Sequence, residues 1–224
     1  MTIEEQSRLH HDSPPKNPRV VRYNKLGLAD PQILDAVEAQ VSALRIAEIA
    51  HEAPDGAFDF AHYCYLHRRI FGSLYDWAGV PPAADDPVID PARDVVKVLQ
   101  DDLSSPSINY RKLAGRSVRD SAEYVFGHLQ AEGCLLDFCP QRFPPRLAAY
   151  WCTLSSLPVF QRGNARTETV FFHQLCRAAG HRLNARELYA RRTEFREARM
   201  TTGSTRARYA LFSTLVDEIV EIAH

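Results

Sequence analysis

The stretch Leu157-Pro158-Val159-Phe160-Gln161-Arg162-Gly163-Asn164-Ala165-Arg166-Thr167 decides how this chain is read. Before it, an apolar run from about Arg146 to Leu157 predicts a buried helix, which Pro158 cannot continue. After it, Val170, Phe171, Leu175 and Ala178 return at helical spacing, with Gly180 in the C-cap position. The stretch is therefore a short polar loop with one glycine between two helices. The second helix offers unpaired N–H groups and a partial positive charge at its start, which suits an anion such as phosphate. Arg162 and Arg166 add two guanidinium groups. The same residue types also make ordinary helix-ending turns, because Gly accepts a left-handed backbone and Asn hydrogen-bonds its own neighbours. Residue types alone leave both readings open.

Outward from this loop the pattern stays helical. Asp30-Pro31 is an N-cap followed by proline at the first helical position, and Ile33, Val37, Val41 and Leu44 predict an apolar face running to about Ala50. Pro54 and Gly56 interrupt the chain before Phe58-Asp59-Phe60 opens a helix with the stripe Phe60, Cys64, His67 and Phe71, in which His67 reads as a hydrogen-bonded core histidine. Pro81, Pro82, Pro87 and Pro91 among Asp85, Asp86 and Asp90 forbid a regular sheet there. Helical spacing resumes over 92–103 and 120–132, a turn region holds Gly133, Pro140, Pro144 and Pro145, and helices over roughly 184–199 and 205–223 finish the chain. No alternation is long enough for a sheet, so the expected fold is mainly α: one helical domain over 23–224 after a flexible arm over 1–22 that holds Pro14, Pro15 and Pro18.

Composition narrows the function. The 224 residues are 45% hydrophobic with 27 basic against 28 acidic side chains, so no overall field draws in nucleic acid or an anionic membrane. The basic set holds only four lysines (Lys16, Lys25, Lys97, Lys112), the rest being Arg, which suits bidentate contact with carboxylate or phosphate but also follows from codon bias. Five cysteines without a CxxC pair predict reduced, mostly buried thiols. Nine histidines show no HExxH and no zinc spacing, so no metal is expected. Met1-Thr2-Ile3-Glu4-Glu5-Gln6 has no export signal and no window spans a membrane, so a cytoplasmic location is expected.

The decisive stretch resembles the signature of the Fic (Fido) family, H-x-F-x-(D/E)-G-N-G-R-x-x-R. Asn24-Lys25-Leu26-Gly27-Leu28 with the helix through Ala43-Leu44-Arg45, the helix from Phe58 through His67, Leu74-Tyr75-Asp76-Trp77-Ala78-Gly79, and Val170-Phe171-Phe172 to Gly180-His181 resemble the family in the same order, over about residues 23–185. The resemblance implies a Fic-like helical domain that transfers the AMP part of ATP to a hydroxyl side chain of a target protein. It implies a motif histidine as general base, an acidic residue holding Mg²⁺ on the phosphates, and a Gly-Asn-Gly loop with arginines cradling the phosphate chain.

Placed on this sequence, the histidine falls on Pro158, the Phe on Phe160, the acid on Arg162, the Gly-Asn pair on Gly163 and Asn164, the second glycine on Ala165, the first arginine on Arg166 and the last on Thr169. Proline cannot accept a proton, and loss of a general base costs roughly 10²- to 10⁴-fold in rate. Arg162 reverses the charge at the metal position, where it either points inward to an anion or lies solvated. The family's β-hairpin flap after Trp-Ala-Gly falls on the proline-rich 80–90 and is expected to be reduced or absent.

The resemblance therefore implies a degenerate Fic-fold protein, unable to AMPylate, whose loop residues Phe160, Arg162, Gly163, Asn164 and Arg166 hold a nucleotide or other phosphate ligand without Mg²⁺, or which serves a partner. The alternative is an enzyme with repurposed, metal-independent chemistry on a phosphorylated or carboxylated small molecule or nucleotide. No catalytic residue is assigned; His173, His128, Ser155 and Ser156 stand in no nucleophile pattern. The nearest match to the family's inhibitory helix, Thr193 to Glu197, reads as an ordinary helix face. Residues 177–208 hold nine Arg and three Glu, while 85–102 hold six Asp against Arg93 and Lys97. The basic helices fit a protein partner, the acidic stretch, or a second copy of the chain, and lack the exposed aromatics of a nucleic-acid surface.

Overall fold

A computed structural model describes residues 24–54, 56–81, 117–201 and 205–223. The proposed arm over 1–22, most of the proline-rich interval where the flap would lie, the helix expected over 92–103 and the acidic stretch 85–102 fall outside the described residues.

Helix α1 (Pro31–His51) starts where expected: the Asp30 side chain accepts from the Gln32 and Ile33 amides, and proline fills the first turn. Its buried face differs from the apolar stripe. Ile33 is 51% and Leu44 60% exposed, while Leu34, Glu38, Ser42 and Ile49 are buried. Counting apolar residues at helical spacing missed a face whose middle is polar, because Glu38 and Ser42 are buried against partners remote in sequence. Asn24 receives the amides of Leu26 and Leu28 on its side-chain oxygen, and Lys25 bonds through its amide to the Leu74 carbonyl, 2.8 Å. The two segments at 24–28 and 74–79 are thus folded onto each other.

Helix α2 (Phe60–Phe71), capped by Asp59 on the His62 amide, buries Tyr63, Leu66, His67, Ile70 and Phe71. Helix α3 (Val118–Ala131) is capped by Ser117 on the Asp120 amide. Helix α4 (Phe143–Leu154) runs three residues earlier at both ends than the expected 146–157. Pro144 and Pro145 sit in its first turn, where a missing N–H breaks no helical bond. Residues 146–154 are all buried, so α4 is the central rod of the core.

Helix α5 (Asn164–Ala178) packs beside α4, with Trp151 stacked on Phe172 at 4.8 Å. Gly180 follows with a φ of 78°, the left-handed residue that ends the helix. The single late helix expected over 184–199 divides at Arg191 into α6 (Ala185–Ala190) and α7 (Arg192–Met200), followed by α8 (Thr205–Ile219). A two-residue ladder pairs β1 (Arg182–Leu183) antiparallel with β2 (Val220–Glu221), with Arg182 opposite Glu221. It is too short for an alternation to announce it in sequence. Among the described residues the architecture is otherwise helical, as expected.

Candidate anion-binding site

The loop between α4 and α5 is fixed from three sides. Gly163 has a φ of 86°, and a Cβ there would stand 2.3 Å from the Phe71 ring, so both backbone and space require glycine. The Asn164 side chain donates to the Phe160 carbonyl at 2.8 Å and accepts from the Phe160 amide at 2.9 Å, clamping the loop across four residues. Phe160 is buried and stacks on His67, ring centres 3.7 Å apart. The Gly79 amide donates to His67 Nδ1 at 2.8 Å, so the ring proton is on Nε2, which donates to the Arg162 carbonyl at 2.9 Å. Burial outweighs that hydrogen bond and pushes the His67 pKa down to about 4, so the ring is neutral at pH 7. His67 is the hydrogen-bonded core histidine expected, and it joins α2, the Trp-Ala-Gly turn and the loop.

The charges of the loop meet α1. Arg162 Nε donates to Glu38 Oε1 at 2.6 Å and its Nη2 to Asp35 Oδ1 at 2.8 Å. Arg166 Nη1 donates to the same Glu38 oxygen at 3.1 Å and to Ser42 Oγ at 3.0 Å, and its guanidinium lies 5.5 Å over the Phe71 ring. The Tyr75 hydroxyl donates to Glu38 Oε2 at 2.5 Å. Of the two orientations open to Arg162, the inward one holds, with a carboxylate of the chain itself as the anion. Burial works against its charge, but Glu38 and Asp35 outweigh burial and raise its pKa.

On the other side of the α5 N-terminus lies a cavity of about 640 Å³. Ala165, Arg166 and Thr169 of the α5 first turns face it, Trp151, Leu188 and Phe195 give it an apolar wall, and Arg192, Arg196 and Arg199 of α7 line it. Arg199 is paired at 2.7 Å with Glu168, whose carboxylate also accepts from the Ser155 hydroxyl at 2.6 Å. Burial raises the Glu168 pKa against the pull of Arg199 and Ser155.

The predicted residues therefore divide. Arg162 and Arg166 come together on Glu38, and only Arg166 also reaches the cavity; Phe160, Gly163 and Asn164 hold the loop's shape. Glu38, Asp35, Tyr75, Arg192 and Arg196 were missed by sequence reasoning. A spacing match could have found the first two: carboxylates three apart on α1 and arginines four apart at the loop. His128, which stands edge-on to Tyr124, and His173 do not line the cavity. Much of the basic run is engaged internally, Arg177 with the Ala50 and Glu52 carbonyls and Arg191 with Glu187, Glu194 and Glu218. The donor set at the loop does not fit Mg²⁺. A guanidinium already held by two carboxylates stands where the resemblance needs an acid, and no cluster of three or more His, Cys, Asp or Glu suited to a metal occurs among the described residues. No described helix is long and apolar enough to cross a membrane.

A helical frame with a Gly-Asn loop heading a buried helix is the architecture of a Fic domain. The BepC protein of Bartonella tribocorum, a VirB-translocated effector solved with bound AMPPNP, superposes with a TM-score of 0.66 at 20% identity, covering 94% of this chain and 96% of that one. The protein adenylyltransferase VbhT of Bartonella schoenbuchensis is 28% identical over 164 residues, 73% of this chain and 30% of its own length. A Salmonella typhimurium protein named "Probable protein adenylyltransferase Fic" is 27% identical over 164 residues, 73% of this chain and 72% of that one. No family model matches the chain. The chain thus has the fold of a Fic domain and is similar in sequence to proteins named as Fic adenylyltransferases, as the motif resemblance implied.

Proposed function

We propose that the chain is a Fic-fold protein that binds a phosphorylated, nucleotide-like ligand in the cavity beside α5 and does not transfer AMP. One observation carries it: Arg162, in the place the family gives to a metal-holding acid, is neutralised by Glu38 and Asp35, while the arginine-lined cavity on the other side of the α5 N-terminus has no carboxylate among its described lining residues. Pro158, at the position of the family's general base, has no proton acceptor to offer. The AMPPNP bound by the similarly folded BepC protein supports a nucleotide as ligand class.

Incubation with radiolabelled ATP, Mg²⁺ and a cell lysate is expected to leave proteins unlabelled, and clear labelling of any band sinks the claim about transfer. Nucleotides are expected to raise the melting temperature, and Arg166→Ala to reduce that rise. A full panel without any stabilisation removes the binding claim.

A further inference from the structure

The cavity's charge count specifies the ligand more closely than its fold does. Among the described residues four guanidinium groups line it, those of Arg166, Arg192, Arg196 and Arg199, and no carboxylate does. Arg166 is compensated by Glu38 and Arg199 by Glu168. Arg192 and Arg196 sit one turn apart on α7 and make no ion pair among the described residues. Arg192 is nevertheless held in place: its Nη1 donates to the Tyr189 carbonyl at 2.9 Å, and its guanidinium lies 4.3 Å from the Tyr189 ring centre. Across the cavity from this pair stand the first turns of α5, whose N-terminal N–H groups add a partial positive charge. Two charges with no ion pair among the described residues are thus set against an apolar wall of Trp151, Leu188 and Phe195, in a volume of about 640 Å³ that suits a small-molecule ligand.

We infer that this cavity takes a metal-free phosphomonoester dianion on a planar apolar body, of the nucleoside monophosphate class, with Arg192 and Arg196 holding the phosphate. The inference rests on the proposed function, since it names the ligand of the same cavity. A metal-free triphosphate carries about twice the negative charge that Arg192 and Arg196 balance. Its Mg²⁺ complex brings a divalent cation into a space lined by four cations and no oxygen anion, where like charges repel. A monophosphate matches the count, because its second ionisation lies near pH 6 and it is a dianion at pH 7.5.

The test is calorimetric titration of the full chain at pH 7.5 with AMP, ATP and adenosine, each in EDTA and in excess Mg²⁺. AMP is expected to bind in EDTA, more tightly than ATP, with little change on adding Mg²⁺. Arg192→Gln and Arg196→Gln are each expected to weaken AMP about tenfold, the loss of one charge-assisted hydrogen-bonding group, and to leave adenosine unchanged. Both side chains are exposed, so the melting temperatures of the unliganded variants should match the parent and show that folding is intact. If ATP binds only with Mg²⁺, or if AMP binding ignores both α7 variants yet falls in Arg166→Ala, this inference fails and the proposed function stands. If no nucleotide binds under either condition, both fail.

Discussion

Two glutamates flank the start of α5, both fully buried, and the chain treats them differently. Glu38 on α1 reaches across 124 and 128 residues of sequence to Arg162 and Arg166, and its second oxygen takes the Tyr75 hydroxyl. Glu168 on α5 places the Ser155 hydroxyl and the Arg199 guanidinium on one oxygen, leaving the other without a hydrogen bond of normal geometry, and burial raises its pKa. Equal burial therefore does not mean equal compensation. What decides is how many cations converge on the carboxylate, two guanidinium groups at Glu38 against one at Glu168, since each ion taken from water must recover its hydration from partners. Glu38 is the tether that aims the loop, and Glu168 the weaker tether that seats α7 against the cavity.

Removing Glu38 is the strongest way to break this contrast. Glu38→Ala leaves Arg162 with Asp35 alone, Arg166 without a carboxylate and the Tyr75 phenol without its acceptor, and is expected to cost about 3–5 kcal/mol in urea unfolding, the range for a broken buried pair. Glu38→Gln, which keeps an acceptor, should cost less. A loss below about 1 kcal/mol for the alanine variant, the range of an exposed ion pair, means that Glu38 does not hold the loop and that the two glutamates are equivalent.

The backbone side of the same loop gives a pH-dependent test. His67 grips the Arg162 carbonyl and accepts from Gly79, and its folded pKa of about 4 lies below the 6.5 of an unfolded imidazole. Between those values the unfolded chain binds more protons, so stability falls as pH falls. From pH 6.5 to 4 this single group is expected to remove about 3 kcal/mol. Chemical denaturation across that range should show the loss, and His67→Gln, which cannot titrate, should flatten it. An unchanged slope in that variant assigns the acid sensitivity elsewhere.

These residues also mark where sequence reasoning succeeded and stopped. Asp30-Pro31, Pro144-Pro145 and Gly180 act through the local backbone, so the helices around the loop were legible, and His67 was legible because it interrupts an apolar stripe. The ordered motif segments carried the resemblance that the relatives and the fold support. The inward turn of Arg162 was not legible, because its partner Glu38 lies on a helix whose apolar spacing pointed to Ile33 and Leu44, both exposed. A polar buried face leaves no hydrophobic period, and only the packing of α1 on the loop reveals it. The division of the late helix at Arg191 was equally silent, since Arg191 gathers Glu187, Glu194 and Glu218 from three directions.

The smallest effect sharpens the comparison most. Glu168→Gln removes a charge that burial already disfavours and keeps an acceptor for Ser155 and Arg199, so at pH 8 it is expected to cost about 1–2 kcal/mol, less than the same change at Glu38. Its pH signature runs opposite to that of His67. A carboxyl whose folded pKa is raised binds protons in the folded chain above the unfolded value of 4.5, so it contributes stability as pH falls through its folded pKa. The native Glu168 thus offsets part of the acid loss due to His67, and Glu168→Gln should steepen that loss between pH 8 and 5. Urea midpoints of parent and variant at those two pH values decide it. A constant difference between them means that burial does not raise the Glu168 carboxyl, and having one guanidinium rather than two then leaves no mark on its titration.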